Sequence, residues 1–159
     1  FQRPSGHYLI RLTRDQPFAQ LDSADAVWPR AEGRDTRAKG LKFRGYFLVG
    51  EQRRPIFGYK IGDSLQVADY AEPNAGALPS ITRRLRIRGN GEVWYLAAAG
   101  DSITEQNGGY NIGGTMLRVS FPELEAKPVV RENSGRKELL IKFNVDGQAT
   151  LKQQYEWNL

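Results

Sequence analysis

Apolar side chains recur at every second position through much of this chain, the period of an extended strand with one face buried and the other in water. Leu41, Phe43, Phe47 and Val49 alternate with Lys42, Arg44, Tyr46 and Leu48. Residues 55–61 (PIFGYKI) read as the partner strand of a hairpin closed by EQRRP, and residues 64–70 (SLQVADY) as a third strand. In residues 80–88 (SITRRLRIR), Ile81, Leu85 and Ile87 share a face. Gly89-Asn90-Gly91 then reads as a turn, with residues 92–99 (EVWYLAAA) returning as its hairpin partner. Residues 100–114 are Gly-rich and read as a loop, followed by a strand over 115–121 (TMLRVSF). Near the end, Leu139, Ile141, Phe143 and Val145 alternate with Leu140, Lys142 and Asn144. Asp146-Gly147 is a type I′ turn signal, and Ala149, Leu151, Tyr155 and Trp157 continue the pattern beyond it.

The first part of the chain is less regular. Residues 7–13 (HYLIRLT) and 17–21 (PFAQL) read as short strands. Ser23 can cap one helical turn that Pro29 would stop. Residues 30–40 (RAEGRDTRAKG) carry both charge signs without apolar periodicity, which predicts an exposed loop and a candidate boundary or processing site. About nine strands with many turns and little helix predict an all-β fold, an antiparallel β-sandwich of jelly-roll or related type. Its core spans residues 41–159. Residues 1–40 supply an N-terminal strand and exposed loop that pack on the sandwich as part of one domain.

The length of 159 residues suits a single domain, and the 17 Gly and 8 Pro agree with many turns. No apolar run is long enough for a membrane-spanning helix. The chain has no Cys, which excludes disulfides, thiolate metal sites and covalent haem attachment within it. Its net charge of +5 is spread out, which predicts weak attraction to polyanions and no dedicated nucleic-acid partner. A start without Met or a signal-like segment leads us to expect a mature product or a piece of something longer.

Candidate chemistry is sparse. Gly100-Asp101-Ser102-Ile103-Thr104 after an apolar run resembles the nucleophile block of the SGNH (GDSL-type) esterases. That family places a base in a C-terminal Asp-x-x-His motif, whereas the one His here is His7. A second such tripeptide, Gly62-Asp63-Ser64, also sits at a strand junction, so both read as strand ends. Asp63, Asp69, Glu72, Glu92, Asp101 and Glu105 could supply an acid/base pair, yet no spacing singles out two of them. No catalytic, cofactor-binding or metal-binding residue is therefore expected. Ligand-contact candidates are Trp94, Tyr95 and Tyr110 as stacking rings, Asn107 and Asn111 in the Gly-rich loop, and Arg84 and Arg86 on a basic stripe. Each has a plainer reading: core packing for the rings, a solvated strand face for the arginines.

Three phrases carry a resemblance. PFAQLDSADAVWP, followed by GLKFRGYFLVGEQRRPIFGYKIGDSLQVADYAEP and later WYLAAAG, resembles a segment of large exported bacterial proteins that combine a c-type cytochrome module with sugar-dehydrogenase-like regions. The resemblance covers residues 1–100. It implies a non-haem β domain of an exported, periplasmic parent, with haem c elsewhere in that parent and no cofactor in this chain. The resulting expectation is a non-catalytic accessory domain whose partners are other domains or chains of the parent, and carbohydrate as a contact. The alternatives are a free-standing carbohydrate-binding module, and a hydrolase using carboxylates or Ser102.

Overall fold

The two longest runs of alternation do not turn back on themselves; each is one long strand. A computed structural model describes residues 15–29, 40–76 and 78–157 and is all-β and antiparallel, with no helix among the described residues. The strands are β1 (Phe18–Ala19), β2 (Leu41–Val49), β3 (Arg54–Ile61), β4 (Leu65–Pro73), β5 (Ser80–Gly100), β6 (Ile103–Gln106), β7 (Gly109–Ile112), β8 (Leu117–Ser120), β9 (Val129–Asn133) and β10 (Arg136–Trp157). They form a 10-stranded sheet in the order β2-β3-β4-β5-β10-β8-β7-β6, with β1 added to β5 and β9 to β10.

The spine is the ribbon of β5 and β10, paired from Lys137↔Gly100 to Glu156↔Ser80. Gly89-Asn90-Gly91 and Asp146-Gly147, read as turns in sequence, lie inside it and face each other, with Asp146 opposite Asn90 and Gly147 opposite Gly89. Gly89 (φ 122°), Gly91 (φ 135°) and Gly147 (φ 76°) hold conformations that side chains disfavour, so they bend a strand here without reversing it. The ribbon folds over on itself. Gln153, whose cross-strand neighbour is Arg83, donates from Nε2 to the Ala97 carbonyl at 3.2 Å, far along the same ribbon. The hairpins β6–β7 and β7–β8 close the other side: β8 pairs with the end of β10, and Gly113 N donates to Ser102 O just beyond the end of β5.

Residues 100–114 are not a loop. They hold the hairpin β6–β7, turned by Asn107 (φ 48°) and Gly108 (φ 71°). Ser134 (φ 53°) and Gly135 (φ 75°) turn β9 into β10 in the same way, both residues having the positive φ of a type I′ turn.

The enclosed core gathers Ile61, Leu65, Val67, Leu85, Ile87, Val93, Tyr95, Ile112, Val119, Leu139, Ile141 and Leu151. A second cluster of Ala19, Trp28, Trp94, Leu96 and Leu140 covers the opposite side of the ribbon's far half. Residues 93–98 are thus buried on both faces, which explains why their apolar run does not alternate.

The cover consists of residues 15–29, held through the pairing of β1 with β5 and through Trp28 in the second cluster. Trp28 Nε1 donates to Gln16 O at 3.0 Å. Arg131 donates through Nη1 to the carbonyls of Ala24 (2.5 Å) and Ala26 (2.6 Å). Ser23 caps a single turn, accepting from Asp25 N at its Oγ and from Ala26 N at its carbonyl, both at 3.3 Å, and no helix follows. The chain must extend again at once to deliver Trp28 to its pocket. The strand expected at 7–13, and all of the loop expected at 30–40 except Gly40, lie outside the described residues.

Candidate functional site

β2 and β3 carry half of the exposed large apolar side chains among the described residues. β2 is an edge strand, paired only with β3, and the register shifts between Phe43 and Gly45 so that Arg44 bulges out. The bulge changes which residues share a face. Phe43, Phe47 and Val49 do not line one side as simple alternation predicts. Phe43 and Tyr46 instead stand on the core-side face with Phe57 and Tyr59, while Phe47 and Ile56 point to the outer face.

On the core-side face the rings form a ladder. Phe43 lies 5.7 Å from Tyr59 and 6.4 Å from Phe57, and Tyr46 lies 6.0 Å from Phe57, centroid to centroid. Tyr59 packs against the core, but the ladder then runs past the edge of the enclosed interior: Phe43 is 55% exposed, Tyr46 62% and Phe57 37%. Lys42 and Arg44 belong to the opposite, outer face of β2 and make no ion pair among the described residues.

Beneath the ladder's anchored end lies a buried polar network. Asp69 accepts two bonds from Arg83, Nε to Oδ1 at 2.8 Å and Nη2 to Oδ2 at 2.5 Å. Arg83 Nη1 donates to Tyr95 Oη at 2.9 Å and to Tyr155 Oη at 3.4 Å, and Tyr95 Oη donates to Gln153 Oε1 at 2.5 Å. Burial pushes the Tyr95 phenol well above the ordinary tyrosine range, an effect the Arg83 charge offsets only in part. Burial, with help from the Asp69 charge, raises Tyr59 as well. Burial works against the Arg83 charge, yet Tyr95, Asp69 and Tyr155 together hold its pKa above the ordinary arginine value. The network keeps the Tyr95 phenol protonated and the Arg83 guanidinium charged, and it ties β4, β5 and β10 together.

The outer face of the same strands is basic. Rows across the sheet read Lys42, Lys60, Gln66, Arg88; then Gly45, Gly58, Ala68, Arg86; then Phe47, Ile56, Tyr70, Arg84, Lys152. Arg84 is matched by Glu72 at 3.2 Å, Lys60 by Asp63 at 3.1 Å and Lys152 by Glu123 at 2.9 Å. Arg86 has no such partner among the described residues.

The residues anticipated from sequence are scattered. Arg84 and Arg86 do share this outer face. Trp94 and Tyr95, neighbours in the chain, point to opposite faces of β5, and both are buried, Trp94 in the second cluster and Tyr95 in the network. Neither ring offers a face to a ligand. Tyr110 is likewise buried, beside Phe121 at 6.2 Å. Asn107 occupies the β6–β7 turn, its carbonyl accepting from Arg118 Nη2 at 2.9 Å, and Asn111 Nδ2 donates to Gln106 Oε1 at 2.9 Å. The carboxylates are also dispersed: Asp69 holds Arg83, Glu72 holds Arg84, Glu92 meets Lys142 at 2.8 Å and Glu105 meets Lys127 at 3.4 Å. Ser102 and Asp101 are exposed in the link from β5 to β6, where Ser102 O accepts from Gly113 N at 2.8 Å. The described residues contain no cluster of His, Cys, Asp and Glu able to hold a metal ion.

Comparisons with protein-family models, curated proteins and solved structures yield no match for this chain.

The ring ladder was missed in sequence because Phe43, Tyr46 and Phe57 resemble ordinary core positions. The signal for it was Gly45 beside Arg44, a glycine and a charge within an otherwise apolar strand, which is the composition of an edge bulge.

Proposed function

We propose that this chain is a non-catalytic accessory domain whose β2–β3 hairpin docks against an apolar surface of another domain or chain of a larger protein. The observation that carries this reading is the exposed ladder of Phe43, Tyr46 and Phe57 continuing the core face beyond the core. Aromatic side chains at this density on one edge are typical of the buried centre of an interface. A second copy fits less well, because the Arg44 bulge and like charges along β2 oppose edge-to-edge pairing. Stacking on a sugar also fits less well, since neighbouring rings are tilted by 45° and 53° to one another and make no flat platform.

The parent we propose is an exported, periplasmic protein that carries haem c in another module. Support for that context comes from the phrases of residues 17–29 and 40–73.

Hydroxyl-radical footprinting of Phe43, Tyr46 and Phe57 tests the docking reading. The rings should react freely in this chain alone and be protected in the whole natural protein. Equal reactivity in both states would refute it.

A further inference from the structure

The outer face of β2–β5 carries a second surface, opposite to the ring ladder. In its middle row three adjacent strands present almost no side chain, with Gly45, Gly58 and Ala68 in line. The result is a shallow trough of about 530 Å³ across the strands, bordered by Arg44, Phe47, Lys60, Gln66, Arg86 and Arg88. Its bordering residues include four cations and no carboxylate. Arg88 bonds only a neutral amide, Gln148 Oε1 at 3.1 Å, and Arg86 and Arg44 make no ion pair among the described residues. Elsewhere on this face Arg84 is neutralised by Glu72 and Lys152 by Glu123, and at the trough's border Lys60 is paired with Asp63, which leaves Arg44, Arg86 and Arg88 without a carboxylate among the described residues. Unbalanced cations thus concentrate where the floor is emptiest, and Phe47, 58% exposed, forms an apolar wall beside them.

We propose that this trough binds an acidic polysaccharide, a chain of uronate sugars. The guanidinium groups of Arg86 and Arg44 would take sugar carboxylates in the forked geometry that arginine favours. The C–H face of a pyranose would lie against Phe47, and the glycine floor would let the chain approach the backbone closely. A single-stranded nucleic acid fits less well. It is held by successive bases stacked on several rings, and Phe47 is the one aromatic side chain that projects into the trough from the outer face.

Binding of polygalacturonate to the whole chain tests this, read by affinity electrophoresis or calorimetry beside neutral dextran and a thymidine oligonucleotide. Wild type should bind polygalacturonate and ignore dextran. Arg86→Ala should weaken binding by at least about tenfold. Lys137→Ala, which removes the same charge from an exposed pair with Glu132, should change it little. Arg86 is exposed, so an unchanged melting temperature for Arg86→Ala separates lost binding from lost fold. No binding of polygalacturonate, equal loss in the two variants, or tighter binding of the oligonucleotide would each overturn the proposal.

Discussion

Tyr95 and Gln153 are hydrogen-bonded side chain to side chain at 2.5 Å although 58 positions separate them, and this bond joins the two halves of the folded-over β5–β10 ribbon. Around it, Arg83 ties Asp69 of β4 to both Tyr95 and Tyr155. Arg83→Leu should therefore destabilise the chain by about 3–5 kcal/mol, because it leaves the Asp69 carboxylate buried without its partner. Tyr95→Phe, which keeps the ring and removes the hydroxyl, should cost about 1–2 kcal/mol. Equilibrium denaturation in urea measures both, and near-equal losses would contradict the ranking.

The same phenols set the alkaline limit of the fold. Tyr95 and Tyr59 resist ionisation in the folded chain, while the unfolded chain releases their protons near the ordinary phenol value of about 10. Their contribution is complete below that pH and is lost as pH rises through the raised folded values. Above pH 10 the free energy of unfolding should fall with pH. In Tyr95→Phe that slope should be shallower by up to about 1.4 kcal/mol per pH unit, one proton's worth. Denaturation at a series of pH values checks this.

A second buried carboxylate holds the N-terminal cover in place. Glu138 accepts from Arg131 (Nε 3.0 Å, Nη2 2.8 Å) and from Arg136 (Nε 2.9 Å, Nη2 2.6 Å), and Arg131 reaches on to the carbonyls of Ala24 and Ala26. Glu138→Ala should cost about 3 kcal/mol. Arg136 keeps Asp15 at 2.6 Å, which softens the loss. Loosening of the cover should also shift tryptophan emission to the red, since Trp28 is almost wholly buried beneath it.

The ribbon's two bends differ in how tightly they are enclosed. A side chain at Gly89 would collide with the Ser64 carbonyl and crowd Leu65, whereas one at Gly147 would meet open space. Gly147→Ala should cost about 1 kcal/mol for its positive φ alone. Gly89→Ala should cost more, and comparison of the two melting curves decides it.

The strands and their antiparallel class were legible because burial of one face leaves a period of two. The connections were less so. Asn107-Gly108 is a true two-residue turn, but its flanks, ITEQ and GYNI, are too polar to look like strands. Asp146-Gly147 carries the same dipeptide signal inside a strand. The apolar positions already argued against a turn there. In a hairpin with a two-residue turn, residue 145 faces the same side as 148, yet Val145 is followed in phase by Ala149, Leu151, Tyr155 and Trp157. β9 escaped notice because Val129 and Val130 lead directly into charged residues on an exposed edge. The polar network was illegible for a different reason. Asp69, Arg83 and Gln153 lie on adjacent strands, but Tyr95 lies 12 positions from Arg83 along β5, and only the fold-over of the ribbon brings it to them.

The docking account requires that the β2–β3 rings be surplus to the fold. Urea denaturation of the double variant Phe43→Ser/Tyr46→Ser tests this most directly. Rings this exposed should contribute little, so the account predicts a loss of less than about 1 kcal/mol and an intact β-sheet spectrum. A loss of about 3 kcal/mol or more would show that the ladder belongs to the core and is not a surface held ready for a partner.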